Sequence, residues 1–207
     1  MDGMTLLCVP ESLFSMGNET YPIYRPVHSV WLDAFWIDQT EVTNAQYSLC
    51  VDAGECNPPK SELFLNENYA NHPVLTLNWY DAESYCSWAG RALPSEAQWE
   101  KAARSSDERT YPWGNTFSSS NLNSSLGYDG YSESAPVGSF PSGASPFGVL
   151  DMAGNAWEWV ADWFDADDYG VSPAANPAGP STGDQRVARG GFWGAPADMA
   201  RSSYRGY

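Results

Sequence analysis

The feature that most limits how this chain can fold is the stretch 111–180, which is mostly Gly, Pro, Ser, Asn and Asp. These residues favour turns and left-handed backbone over helices and ladders, so the segment is predicted to be irregular. A loop of that length in a compact domain counts against an ordinary layered fold unless it is functional or tied down. Its backbone N–H and C=O groups cannot be buried unpaired. Bound cations and side-chain hydrogen bonds to turns are the two available ways of holding it.

The rest of the chain can supply a core. Hydrophobic residues make up 43% of the 207, with 10 Trp and 12 Tyr among them, whereas disordered chains are poor in such side chains. Only 17% are charged, against 18 Gly and 15 Pro. A loop-rich body with short elements is therefore expected, because long amphipathic helices need charged outer faces. Length alone is compatible with one domain or two; no internal repeat and no linker between two cores is visible.

The 26 acidic against 10 basic residues give a net charge of −16. Such a field repels phosphate backbones, which excludes nucleic acid as a partner. Taken alone, the acidity speaks for solubility before cation binding. No run approaches the ~20 apolar residues of a membrane span, so no membrane insertion is expected. Residues 1–14 lack the basic flank and apolar run of a signal peptide. The location stays open, with an extracytoplasmic one as the working expectation.

Four cysteines, Cys8, Cys50, Cys56 and Cys86, are too few for a disulfide scaffold and lack a zinc spacing. Cys50 and Cys56 flank an Asp-Ala-Gly turn, where a local disulfide and two free thiols are equal alternatives, since spacing alone does not define disulfide geometry.

Three helices carry start signals. Thr43 with Gln46 forms a capping box for a helix over 44–53, stopped by Gly54. Asn78 and Asp81 open a second over 79–89, with Trp79, Ala82, Cys86 and Ala89 on one face and Cys86 pointing inward. Ser95 with Gln98 opens a third, whose Trp99, Ala102 and Ala103 form an inward stripe behind Pro94. Glu83, Glu96 and Glu100 are assigned to solvated helix faces. Strands are predicted over 5–10, 27–37 and 186–189 from their β-branched and aromatic content.

In order along the chain stand Phe14-Ser15-Met16-Gly17, Phe35-Trp36-Ile37-Asp38, Glu41-Val42-Thr43-Asn44, Asn78-Trp79-Tyr80-Asp81-Ala82, Arg91-Ala92-Leu93-Pro94-Ser95-Glu96 and Trp99-Glu100-Lys101-Ala102-Ala103-Arg104. Then follow Tyr111-Pro112-Trp113-Gly114, Asp151-Met152-Ala153-Gly154-Asn155-Ala156-Trp157-Glu158-Trp159 and Arg186-Val187-Ala188-Arg189-Gly190-Gly191. In residues and order these resemble the formylglycine-generating, sulfatase-modifying factor domain across nearly the whole chain. The resemblance implies one domain over 1–207 with an α+β, C-type-lectin-like fold. It implies little regular structure, short helices, small antiparallel sheets, and loops held by two structural calcium ions.

Carried over residue by residue, one calcium ion takes the Asp151 and Glu158 side chains with the Gly154 and Ala156 carbonyls. The other takes the Asn121 side chain, the Leu122 carbonyl, Asp129 and the Tyr131 carbonyl, with Asn123 able to replace Asn121. All-oxygen ligands of this kind suit a hard ion such as calcium. The competing reading is acidic turns closed by Asx hydrogen bonds without metal.

Relatives of this kind oxidise a sulfatase cysteine, transfer sulfur oxidatively, act as sensor modules of bacterial kinases or display ligand-binding surfaces, and fold alone does not choose among these. The resemblance places copper(I) of the catalytic members between two thiolates in the segment after Arg-Val-x-x-Gly-Gly, as suits a soft ion. Here residues 192–207 contain no cysteine, so no copper is expected. The sulfur-transferring members use a histidine cluster, and this chain has only His28 and His72. The expectation is a non-catalytic module binding a protein or small-molecule ligand through Phe192, Trp193 and Tyr204. Core packing is an equal alternative for Phe192 and Trp193. The alternative function is a sulfatase-modifying oxidoreductase with displaced catalytic residues. The family continues past the Arg201 to Arg205 element into a closing strand; either that strand lies outside this sequence or another segment closes the sheet, and an unpaired edge there would invite pairing with another chain.

Overall fold

The computed structural model describes residues 2–125 and 129–207; Met1 and the stretch 126–128, inside the second expected calcium loop, lie outside the described residues. Two short antiparallel ribbons begin the fold. Strand β1 (Leu6–Val9) pairs with β4 (Phe35–Asp38), and β2 (Ser12–Met16) pairs with β3 (His28–Leu32). Period-two alternation turns Val9, Phe14, Met16, Val30, Leu32 and Ile37 inward and leaves Leu13, Trp31 and Trp36 exposed. The strand expected over 27–37 is thus two strands, broken at Asp33 and Ala34, and β2 was not read as a strand.

Helices α1 (Asn44–Asp52), α2 (Trp79–Trp88) and α3 (Glu96–Arg104) each carry the capping box seen in the sequence. In α3, for example, the Gln98 N–H donates to Ser95 Oγ at 3.2 Å and the Ser95 N–H to Gln98 Oε1 at 2.8 Å, which satisfies two otherwise orphaned donors. Cys86 points inward as expected, packed against the cluster of Tyr47, Phe64 and Tyr85, and Tyr85 is the most deeply buried residue of α2's inner face. Cys50 and Cys56 are joined by a disulfide beside Tyr47, Phe64 and Tyr85. No described helix is long and apolar enough to cross a membrane.

The 111–180 region is irregular, as its composition demands, with one exception. Strand β5 (Glu158–Trp163) pairs antiparallel with β6 (Arg186–Arg189), matching Glu158 to Arg189 and Trp159 to Ala188. Its six residues, Glu-Trp-Val-Ala-Asp-Trp, sit too close to turn-forming sequence for alternation to stand out. Gly206 lies on the other side of β6, exchanging hydrogen bonds with Ala188 at 2.8 and 2.9 Å. At this point another segment of the chain covers the sheet edge, one of the two expected ways of closing it.

α3 runs through the centre of the molecule and is buried almost all round. Trp99, Ala102 and Ala103 pack against Val9, Ile37, Met152, Val160 and Val187. Burial on every side corrects the assignment of Glu96 and Glu100 to a solvated face. Both carboxylates are interior and held by three arginines. Arg189 donates to Glu96 at 2.9 Å and to Glu100 at 2.6 Å, while Arg205 grips both Glu96 oxygens at 2.8 and 2.9 Å. Arg104 donates to Glu100 at 3.0 Å and to the Gly17 carbonyl at 2.8 Å, and the Gly17 N–H returns a bond to Glu100 at 2.8 Å. Glu83 alone of the three stays exposed.

Removing one member of a buried ion pair strands the remaining charge, at a cost of about 3–5 kcal/mol. Glu100→Ala should therefore lower the melting temperature by roughly 10 °C or more, whereas Arg109→Ala, which breaks the exposed pair with Asp107, should shift it by no more than about 4 °C. Thermal melts of the two variants make the comparison.

Asp162 is buried, its Oδ2 accepting the Glu96 N–H at 2.8 Å. Burial first, and then the neighbouring Glu96 charge, push its pKa from 3.8 up to about 7. A raised carboxylate pKa contributes stability below the unfolded value that is lost as pH climbs through the folded value. Asp162→Asn keeps the acceptor and removes the charge, so its melting temperature relative to wild type should rise between pH 5 and pH 8. A constant difference across that range would contradict the assignment.

Candidate functional site

The ion network positions an aromatic row. Arg205 reaches past Glu96 to the Ile23 carbonyl at 2.9 Å, and Arg189 holds the Ser202 carbonyl at 2.6 Å. These bonds fasten the C-terminal segment against the turn containing Tyr24. As a result Tyr21, Tyr24, Tyr204, Trp157, Phe192 and Trp193 follow one another with ring centroids 5.4, 5.8, 5.9, 6.3 and 5.8 Å apart. All five spacings fall in the range of favourable ring pairs.

The three residues singled out in the sequence, Phe192, Trp193 and Tyr204, are thus brought together, with Trp157 as the missing rung. Phe192 and Trp193 are half-buried and Trp157 is 36% exposed, so the row is neither sealed core nor loose surface. Glycine makes room for it: a Cβ on Gly206 would lie 2.9 Å from the Trp157 ring. Trp157, Phe192 and Trp193 line a cavity of about 760 Å³, and Trp157 and Tyr204 line a second of about 420 Å³.

Behind the row lies the turn that carries the first expected calcium ligands. Gly154 and Asn155 both adopt positive φ, 80° and 59°. A side chain at Gly154 would strike the Asn123 carbonyl oxygen at 2.1 Å, which explains the glycine. Asn155 is the hub of the turn. Its Nδ2 donates to Glu41 at 2.6 Å, and its Oδ1 accepts the Ala135 N–H at 2.8 Å and Asn123 Nδ2 at 3.2 Å. The Ala156 N–H donates to the other Glu41 oxygen at 2.9 Å, and the Asn155 carbonyl accepts the Trp193 N–H at 3.0 Å. Glu41, Asn155 and Trp157 carried no role in the sequence reading. A buried acid in a motif and an Asn amid small residues were the available signals.

Three carboxylates meet here without a cationic side chain. Among the described residues, Glu41, Asp151 and Glu158 form no salt bridge. Burial first, and then the Asp151 and Asp38 charges, push Glu158 up to about 8; burial first, and then the Asp151 and Glu158 charges, push Glu41 well above the carboxylate range; burial raises Asp151 to about 6. Asp151 accepts the Gly138 N–H at 2.6 Å and Glu158 Oε2 accepts Trp99 Nε1 at 2.9 Å. Glu158 Oε1, the Trp99 ring and the Ala156 carbonyl all lie close to Gly190, where a Cβ would be 3.4, 3.5 and 3.8 Å from them. No three His, Cys, Asp or Glu side chains among the described residues form a metal cluster. A cation here would draw on carbonyls for part of its shell, which suits a hard ion such as calcium.

The second expected set is differently arranged. Asn121 ends a 3₁₀ turn and accepts from Ser120 Oγ at 3.2 Å, while Leu122 is buried. Asp129 closes an Asx turn by accepting the Tyr131 N–H at 2.9 Å and also takes the Ser124 N–H at 3.3 Å. Asn123 Nδ2 donates to the Glu133 carbonyl at 2.8 Å and to Asn155 Oδ1 at 3.2 Å. Through Asn123 and Asn155 the two loops are joined. His72 is buried with Nδ1 against Ser134 Oγ, and His28 lies against Tyr169; neither joins the site.

A family model described as sulfatase-modifying factor enzyme 1-like domain matches residues 2–207. The serine/threonine-protein kinase pkn1 of Chlamydia caviae is 36% identical over 87% of this chain and 31% of its own length. The formylglycine-generating enzyme of Thermomonospora curvata is 44% identical over 58% of this chain and 44% of its own. The chain thus spans less than half the length of these curated relatives. Among solved structures, PvdO from Pseudomonas aeruginosa aligns with a TM-score of 0.84 at 27% identity, over 99% of this chain and 88% of that one. Treponema denticola variable protein 1 aligns with a TM-score of 0.81 at 24% identity, over 98% and 88%, a likeness of fold.

Asn155 combines a left-handed backbone with side-chain bonds that only an amide supplies. Asn155→Gly should destabilise by about 2–3 kcal/mol through lost bonds to Glu41 and Ala135. Asn155→Ala should cost about 1 kcal/mol more, because it adds backbone strain. Denaturant melts that rank Ala above Gly in stability would contradict this account.

Proposed function

The chain belongs to the sulfatase-modifying factor enzyme 1-like family, and from that premise we propose that it is a non-catalytic recognition module. In this reading a calcium-stiffened scaffold presents the row from Tyr21 to Trp193 to a protein or small-molecule ligand. The observation that carries it is the row itself. Large rings held in register by a buried ion network offer contact area at little entropic cost. Three of them, Phe192, Trp193 and Tyr204, occupy the segment in which the catalytic chemistry of the resemblance would require two thiolates, and residues 192–207 contain no cysteine.

The remaining cysteines do not supply the pair. Cys50 and Cys56 are bonded to each other, Cys8 is exposed on β1, and burial pushes the Cys86 thiol up to about 12. A protonated, buried thiol is a poor ligand and nucleophile. Met199 is a neutral thioether and does not replace two anionic ligands for copper(I). The similarity to part of the chlamydial kinases supports a sensor role within a larger signalling protein, and the fold shared with the variable protein supports a scaffold for a ligand-binding surface.

Calcium is the second element of the proposal. The uncompensated carboxylates and the Glu158 and Ala156 oxygens close to Gly190 support an ion held by Asp151, Glu158 and the Gly154 and Ala156 carbonyls. A second ion at Asn121, Leu122, Asp129 and Tyr131 follows from the resemblance. These ions would supply counter-charge and loop rigidity.

An ion present at 100 times its dissociation constant adds about 2.7 kcal/mol if it binds only the folded state. Chelation should lower the melting temperature by roughly 5–10 °C, and Glu158→Ala should remove more of that dependence than Asn121→Ala. An identical melting curve in excess chelator, with no ion found by elemental analysis, would refute the calcium assignment. The non-catalytic reading is tested by incubating a sulfatase-motif cysteine peptide with the protein, copper and a reductant. Its mass should not change; conversion that scales with protein concentration would restore the oxidoreductase.

A further inference from the structure

We propose that the larger cavity beside Trp157 takes an organic cation: a primary ammonium or guanidinium on an apolar stem, either free or carried as a lysine or arginine side chain. This rests on the recognition reading above and adds the chemistry of the ligand. The cavity and its rings define the place, and charge selects the occupant.

The cavity of about 760 Å³ lies within the usual range for small-ligand sites, roughly 300–1,000 Å³. Its lining offers apolar surface for a stem, including Pro73, Val74 and Leu77. Its carboxylates are Asp38, Glu41 and Glu158, against Arg91 as the basic residue among the described lining. Arg91 is already committed to Asp2 and Asp38, which leaves Glu41 and Glu158 with no cationic partner inside the protein. A calcium ion across Asp151 and Glu158 would offset part of this field and leave Glu41 and the rings in place. The overall charge of −16 adds long-range attraction for cations and opposes carboxylate or phosphate ligands.

The rings give independent support. A cation within about 6 Å of an aromatic face is held by the ring quadrupole, with Trp the strongest partner. At six rings among the described residues the protein places its own arginines. The Arg186 guanidinium carbon lies 3.6 Å from the ring centroids of both Trp79 and Trp163. That of Arg205 lies 4.2 Å from Tyr169, and that of Arg189 lies 5.0 Å from Trp99. Among the described residues, no arginine or lysine covers Trp157, Phe192, Trp193 or Tyr204. The protein thus uses guanidinium–ring pairing in its interior, and the rings of Trp157, Phe192 and Trp193 beside the cavity carry none of it.

The test titrates the calcium-loaded protein with hexylammonium, hexanol and hexanoate, reading tryptophan fluorescence and calorimetric heat. Hexylammonium is expected to bind about tenfold tighter than hexanol, with hexanoate weaker still and with affinity falling as salt rises. Trp157→Leu, checked for an unchanged melting temperature, should weaken hexylammonium at least about fivefold; full retention of affinity would overturn the proposal. Hexanol binding as tightly as hexylammonium would overturn the cation and leave the recognition site standing, while no binding by any probe would sink both. A capped Gly-Gly-Lys-Gly-Gly peptide against hexylammonium separates the sources: tighter binding of the peptide indicates a chain-borne side chain, and tighter binding of the amine a free ligand.

Discussion

Everything in this fold hangs on the two glutamates of α3. Glu96 and Glu100 are buried and answered by Arg104, Arg189 and Arg205, which come from the helix itself, from β6 and from the C-terminal segment. Each arginine spends further donors on carbonyls of Gly17, Ser202 and Ile23. The network therefore specifies where loops sit more than it adds net stability, since buried ion pairs roughly balance their own desolvation. A fold with so little regular structure needs that kind of specification. Apolar packing is non-directional and would tolerate several loop arrangements.

The same logic runs outward to the candidate site. Arg205 places its neighbour Tyr204, and Asn155 and Glu41 place Trp157 and Trp193 through bonds to the backbone on either side. The aromatic row is thus a rigid consequence of interior polar contacts, so its rings are held before a ligand arrives. Preorganisation of this sort reduces the entropic cost of binding. The segment after the Gly190-Gly191 pair carries Phe192, Trp193 and Tyr204 and contains no cysteine.

Charge is distributed unevenly between these layers. The interior acids of α3 are fully answered by arginine, whereas Glu41, Asp151 and Glu158 are not. Burial without a counter-charge raises their pKa, and a cation bound beside them would favour their charged form again.

The sequence by itself determined the features that are local. Capping boxes at Thr43, Asn78 and Ser95 announced the three helices, the turn-formers of 111–180 announced irregular backbone, and the ordered motifs identified the family. These signals act over three or four residues or through composition, so they survive without tertiary context. Only the tertiary structure decided that Glu96 and Glu100 are interior, that residues 158–163 form a strand, that Cys50 and Cys56 are bonded, and that Trp157 links Tyr204 to Phe192. Each of these depends on partners far away in the chain, such as Arg189 and Arg205 for Glu96, or Gly206 making room for Trp157. A helical glutamate looks the same in sequence whether water or an arginine from another segment meets its charge, and the long-range pairing that settles the matter exists only once the chain has folded.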